Sequence, residues 1–163
     1  MRKPPTIETR GSDIVTVLSV SPTEAVHFSL QEIFNHSKWK LAKTHSLASA
    51  LAFLRVQKTP VVLCETDLRP GSWRDLMEEI THAPDAPAII VSSRLADDRL
   101  WAEALNLGAW DVLARPFVAS EVFHAVSAAW RHWRNQQESS TTVVKVMRAA
   151  GWGTAAAAAS GGA

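Results

Sequence analysis

The sequence predicts an α/β fold: a parallel five-stranded sheet covered by helices on both faces. Two observations carry this expectation. Short apolar runs recur along the chain, at residues 14–20, 40–44, 60–65, 88–92 and 110–114. Between them the connecting stretches hold apolar residues at helical spacing. Runs such as VVLC and AIIV lack the in-and-out alternation of a half-exposed strand, so they suit strands buried on both faces. Such runs alternating with amphipathic stretches point to parallel strands joined by helical crossovers.

Each helix is justified in turn by its inward stripe. Val26, Leu30, Ile33 and Phe34 share one face of the first, and Leu47, Leu51 and Leu54 one face of the second. Trp73, Leu76, Met77 and Ile80 mark the third, Leu100, Ala104 and Leu107 the fourth, and Val122, Val126, Ala129 and Trp133 the last. Ser21-Pro22-Thr23-Glu24 reads as an N-cap serine, a proline in the first turn and a glutamate closing a capping box. Ser72 and Asp75 repeat that signal before the third helix, and Asp97-Asp98 suits the first turn of the fourth. Gly108 stands where a left-handed residue ends the fourth helix. Together these elements give a flavodoxin-like (βα)5 three-layer sandwich, whose functional groups gather at the carboxyl ends of the strands.

Composition sets the limits. The chain has 163 residues, 47% hydrophobic and 20% charged, which suits one domain with a proper core. Residues 1–12 read as a flexible lead, 13–137 as the domain, and 138–163 as a largely disordered tail in which Val143, Val144, Val146 and Met147 form a short docking segment. A net charge of +1 gives no general pull toward nucleic acid or membrane. Cys64 is the lone cysteine, so no internal disulfide forms, and a strand-interior thiol reads as a small buried hydrophobe. No apolar run is long enough to span a bilayer, so a cytoplasmic protein is expected. The histidines 27, 36, 45, 82, 124 and 132 lack metal-ligand spacing and read as surface or helix-end residues.

At the strand ends the chain resembles the receiver domain of bacterial response regulators. The resemblance runs from about Ile14 to Asn135 and is most specific in AIIVSSRLADDRLWAEALNLGAWDVLARPF. A buried strand ends there in a hydroxyl residue, followed by a helix, Gly108-Ala109, a short strand and a basic residue before Pro116-Phe117. Ser93 lies fifteen residues before Gly108, with Ser92 as the alternative hydroxyl. The resemblance implies phosphorelay chemistry: an acidic pair after the first strand and an aspartate after the third hold Mg²⁺, and that aspartate accepts a phosphoryl group. A hydroxyl and a lysine then hold the phosphoryl oxygens.

Several of those positions depart from the pattern. Ser21 and Pro22 stand where the acidic pair is expected, and neither supplies a carboxylate. Glu65 stands at the acceptor position, with Asp67 as the alternative register. Arg115 replaces the lysine before Pro116, and Val112 occupies the aromatic switch position. The resemblance therefore implies a degenerate receiver, without Mg²⁺ or other cofactor, without enzymatic activity, and acting by protein–protein binding. Glu65 with Arg115 reads either as a built-in mimic of the phosphorylated state through a two-pronged ion pair, or as a structural relic. A working phosphoacceptor receiver using Glu65 or Asp67 is the alternative. A flavin or nucleotide binder on the same fold is disfavoured, because no glycine-rich loop follows the first strand. Expected partners are a histidine kinase, another receiver, a transcription regulator or a second copy, and neither nucleic acid nor membrane. Trp101, Trp110, Trp130, Arg131 and Arg134 are the interface candidates, since Trp and Arg dominate binding hot spots.

Overall fold

The computed structural model describes residues 14–152. Five strands alternate with five helices: β1 (Thr16–Val20), α1 (Glu24–Phe34), β2 (Lys40–Thr44), α2 (Leu47–Val56), β3 (Val61–Glu65), α3 (Trp73–Thr81), β4 (Ala88–Ser93), α4 (Asp98–Asn106), β5 (Asp111–Ala114) and α5 (Ala119–Ala149). The strands form one parallel sheet in the order β2-β1-β3-β4-β5. Neighbouring residues of one strand feed opposite cores. Leu18, Val62, Cys64 and Val91 pack with Trp73, Leu76 and Met77 on one face. Val17, Val61, Leu63 and Ile90 pack with Leu30, Phe34, Val122 and Val126 on the other. Two-sided burial is why these strands read as continuous apolar runs.

Local chemistry sets most of the helix ends. At α3 the Asp75 backbone N–H donates to Ser72 Oγ (3.3 Å), and the Ser72 N–H donates to Asp75 Oδ2 (2.8 Å), closing the expected capping box. Asp97 caps α4 by accepting from the Leu100 N–H at 2.9 Å. Gly108, at φ +95°, ends α4, and the Ala109 N–H reaches back to the Ala104 carbonyl at 2.9 Å.

Two expectations are corrected. Ser21 does not cap α1: the helix starts at Glu24, Thr23 holds the cap position without a side-chain bond, and Pro22 lies outside the helix. The Ser21 hydroxyl is turned inward instead, as described below. Residues 138–149, expected in a largely disordered tail, are helical instead, because α5 continues unbroken to Ala149. Its stop is encoded by Gly151 at φ +75°, with the Trp152 N–H donating to the Met147 carbonyl at 3.0 Å. The expected flexible lead at residues 1–12 and the end of the expected tail, from residue 153, lie outside the described residues.

Candidate functional site

Because all five strands run the same way, their carboxyl ends open on one edge of the sheet. Glu65 is the last residue of β3 and is 3% exposed. Ser21 follows β1 with no exposure at all. Arg115 follows β5, with a side chain only 8% exposed. These three side chains meet. The Ser21 hydroxyl donates to Glu65 Oε2 in a short hydrogen bond. On the other carboxylate oxygen, Arg115 Nη2 lies 2.5 Å from Oε1.

The expected two-pronged pair is not formed. Arg115 engages Glu65 through one nitrogen, and its buried Nε has no hydrogen-bond partner. The second carboxylate oxygen is met by Ser21 instead of by the guanidinium. Asp67 lies two residues into the following loop, with a side chain 74% exposed and its Oδ2 3.9 Å from the same Arg115 nitrogen. Pro22, next to the cluster, contributes no ligand.

Ser92 and Ser93 end β4 and are both buried. Ser92 pairs in register with Glu65, whereas the Ser93 hydroxyl accepts the Leu95 N–H at 3.2 Å and shapes the following loop. Among the described residues, neither hydroxyl bonds to Glu65 or Arg115. Val112 is 4% exposed and belongs to the core on the α3 side of the sheet. Pro116 follows Arg115 through a cis peptide bond.

A second buried polar group stands behind the cluster, and sequence reasoning missed it. His27 was expected as a surface or helix-end residue but is fully buried within α1. Its Nε2 donates to the Ser21 carbonyl at 2.9 Å. A carbonyl can only accept, so Nε2 carries the proton, and the neutral ring's Nδ1 accepts from the Ser19 hydroxyl at 2.9 Å. Burial pushes the His27 pKa below its usual value, against the opposing pull of the Ser21 carbonyl. His27 thus fixes the backbone of the residue whose hydroxyl holds Glu65. A signal was available, because 27, 30 and 34 follow the three-and-four spacing of the buried face of α1. Burial also raises the thiol pKa of Cys64, so it stays an inert core residue.

The interface candidates do not form one patch. Trp101 is 37% exposed and lines a groove of about 430 Å³ with Val112, Ala114, Glu121 and His124, between α4, β5 and α5. Trp110 instead stacks on His132, with ring centroids 4.5 Å apart. Trp130 packs edge-on to Trp39 at 5.9 Å, and Arg134 lies over its ring at 5.6 Å. Arg134 is further tied to Glu138 at 3.0 Å. Arg131 is exposed.

Sheet order and connectivity define a flavodoxin-like (βα)5 domain with a buried polar cluster at the carboxyl ends of its strands. The sequence matches the response regulator receiver domain family over residues 17–127. The chain belongs to that family, whose members work in two-component signalling and bind proteins such as kinases or effectors. No curated protein matches it. Among solved structures it is similar to the signal receiver domain of an HD domain-containing protein from Pseudomonas fluorescens Pf-5, with 22% identity, a TM-score of 0.69, and coverage of 76% of this chain and 92% of that one. It is also similar to the receiver domain of Francisella response regulator 1452, at 16% identity and TM-score 0.67, covering 72% and 98%. The chemotaxis response regulator CheY4 of Vibrio cholerae gives 12% identity and TM-score 0.65, covering 71% and 98%. At these identities the likeness is one of fold. No described helix is long and apolar enough to cross a membrane.

Proposed function

We propose that this receiver regulates a protein partner by binding, without accepting a phosphoryl group, in the cytoplasm. The observation that carries the reading is the double engagement of Glu65: Ser21 on one carboxylate oxygen and Arg115 on the other. A divalent cation needs several hard oxygen ligands, and a guanidinium at the carboxylate repels it. The donor set of Ser21, Pro22 and Glu65 therefore does not fit Mg²⁺. Without the metal, charge developing on a transferring phosphoryl group has no counterion. The ion pair then acts as a fixed element that keeps the receiver in one state.

The partner is of the same signalling class: a histidine kinase, another receiver or a transcription regulator. The groove beside Trp101 is its docking surface. Calorimetric titration with millimolar Mg²⁺ tests the reading, with no binding heat expected; saturable binding in that range contradicts it. The competing reading is a working acceptor at Asp67, which is supported by that residue's exposure.

A further inference from the structure

The part of α5 beyond the domain is exposed along its whole length. From Glu138 to Trp152 every residue is exposed, including Val143 (51%), Val144 (50%), Val146 (62%) and Met147 (49%). The segment is still helical and ends on an encoded stop at Gly151. At about 1.5 Å per residue, residues 138–149 extend the helix by roughly 18 Å. A helix this apolar on one side calls for a covering surface.

The spacing says what kind of surface. Val122, Val126 and Ala129 pack α5 onto its own sheet. Trp133, Gln136, Ser140, Val143, Met147 and Ala150 continue that stripe in steps of three and four. A helix lying on a sheet needs only an apolar face. An alternation kept past the edge of the domain matches a second helix with the same repeat. At 100° per residue, Glu138 and Lys145 fall on the side opposite Met147, and Arg148 falls at its flank. The positions flanking the seam, 144 and 146, are both valine. A two-fold copy therefore meets an uncharged, self-complementary strip, as an isologous contact requires.

Direction follows from the domain itself. The stripe faces the side of α5 on which its own sheet lies, so a parallel copy would drive its first half through that sheet. An antiparallel copy meets only the extension. Where α5 leaves the domain, an open cleft of about 630 Å³ lies along the same stripe, lined by Thr81, Pro84 and Ala86 on one side and Gln136 and Ser140 on the other. With the two-fold axis near residues 143 and 144, the end of one helix, carrying Trp152 (81% exposed), reaches the cleft of the other.

We infer that the α5 extension pairs tail-to-tail with the α5 extension of a second copy of this chain, each helix end seating in the other's cleft. The inference stands apart from the reading of the Glu65 cluster. An overlap this short belongs with weak, reversible interfaces. In sedimentation equilibrium, the full chain should rise with concentration from 17.8 kDa toward twice that mass. Val143→Glu with Met147→Glu should stay monomeric throughout, with an unchanged thermal midpoint, since neither residue touches the domain. Trp101→Ala should dimerise like the wild type. Under mild oxidation Val143→Cys should cross-link to itself, whereas Ala150→Cys should not, because the two copies of residue 150 lie at opposite ends of the overlap. A wild-type chain that is monomeric at every concentration overturns the inference. So does a double Glu variant that keeps the dimer, a Val143→Cys that fails to cross-link, or an Ala150→Cys that succeeds.

Discussion

Arg115, at the mouth of β5, sets one guanidinium nitrogen 2.5 Å from the Glu65 carboxylate at the mouth of β3, and both side chains are nearly buried. Each charge is tolerated because the other is present. Removing one partner leaves the other buried and unmatched, which costs about 3–5 kcal/mol. Arg115→Ala should therefore lower the urea midpoint strongly. Glu65→Leu combined with Arg115→Met should recover most of that loss, because it removes both charges at once. If the double variant is no more stable than Arg115→Ala alone, the pair is not what stabilises this edge.

Acid should weaken the fold through His27. Burial holds its folded pKa below the ordinary histidine value of about 6.5, so the folded state binds fewer protons than the unfolded state as pH falls through that range. Its contribution is complete above the unfolded pKa and is lost on acidification. The groups facing it are His45, whose ring lies 4.8 Å away edge-on, together with Glu24 and Lys43. The thermal midpoint should drop between pH 7.5 and about pH 5.5, and His27→Gln should flatten that drop. An unchanged slope in the variant assigns the acid sensitivity elsewhere.

Capping gives a clean test of the helix boundaries. Ser72→Ala removes the acceptor for the Asp75 N–H and should cost about 1 kcal/mol in denaturant unfolding. Ser21→Ala should cost more than an ordinary cap change. Its hydroxyl serves the buried Glu65 carboxylate, and losing a bond to a charged group is worth about 1.5–3 kcal/mol. Equal losses would mean that Ser21 has no special role at the site.

Trp101 is the partly exposed aromatic residue of the α4–β5–α5 groove, whereas Trp130 is occupied by Trp39 and Arg134. Trp101→Ala should lower affinity for a bound partner by tenfold or more, as loss of a hot-spot residue does, while leaving circular dichroism unchanged. Arg134→Ala should leave binding intact, since its guanidinium is engaged within its own helix. The reverse pattern would move the docking surface to the α1–α5 side.

The middle of the sheet was legible because burial on both faces writes itself into β1, β3 and β4 as nearly unbroken apolar runs, whereas the edge strand β2 (KLAKT) is only partly buried. Glu65 and Arg115 were legible as neighbours because each ends or follows a strand of a parallel sheet. The Ser21 contact to Glu65 was not, because the local context of proline, threonine and glutamate imitates a helix cap. The burial of His27 was legible in its three-and-four spacing with Leu30 and Phe34, but its partners were not, since a hydroxyl eight residues back and a backbone carbonyl leave no pattern. The α5 extension was obscured by the polar stretch Gln136–Thr142, which resembles a tail until the helix stop at Gly151 is taken into account.

The central claim is that Ser21, Glu65 and Arg115 form a closed cluster in place of a phosphorylation site. Its most direct test is incubation of the protein with a small-molecule phosphodonor and Mg²⁺, followed by intact-mass measurement. The account predicts an unchanged mass. A hydroxylamine-sensitive gain of one phosphoryl group, mapped to Glu65 or to Asp67, would contradict it.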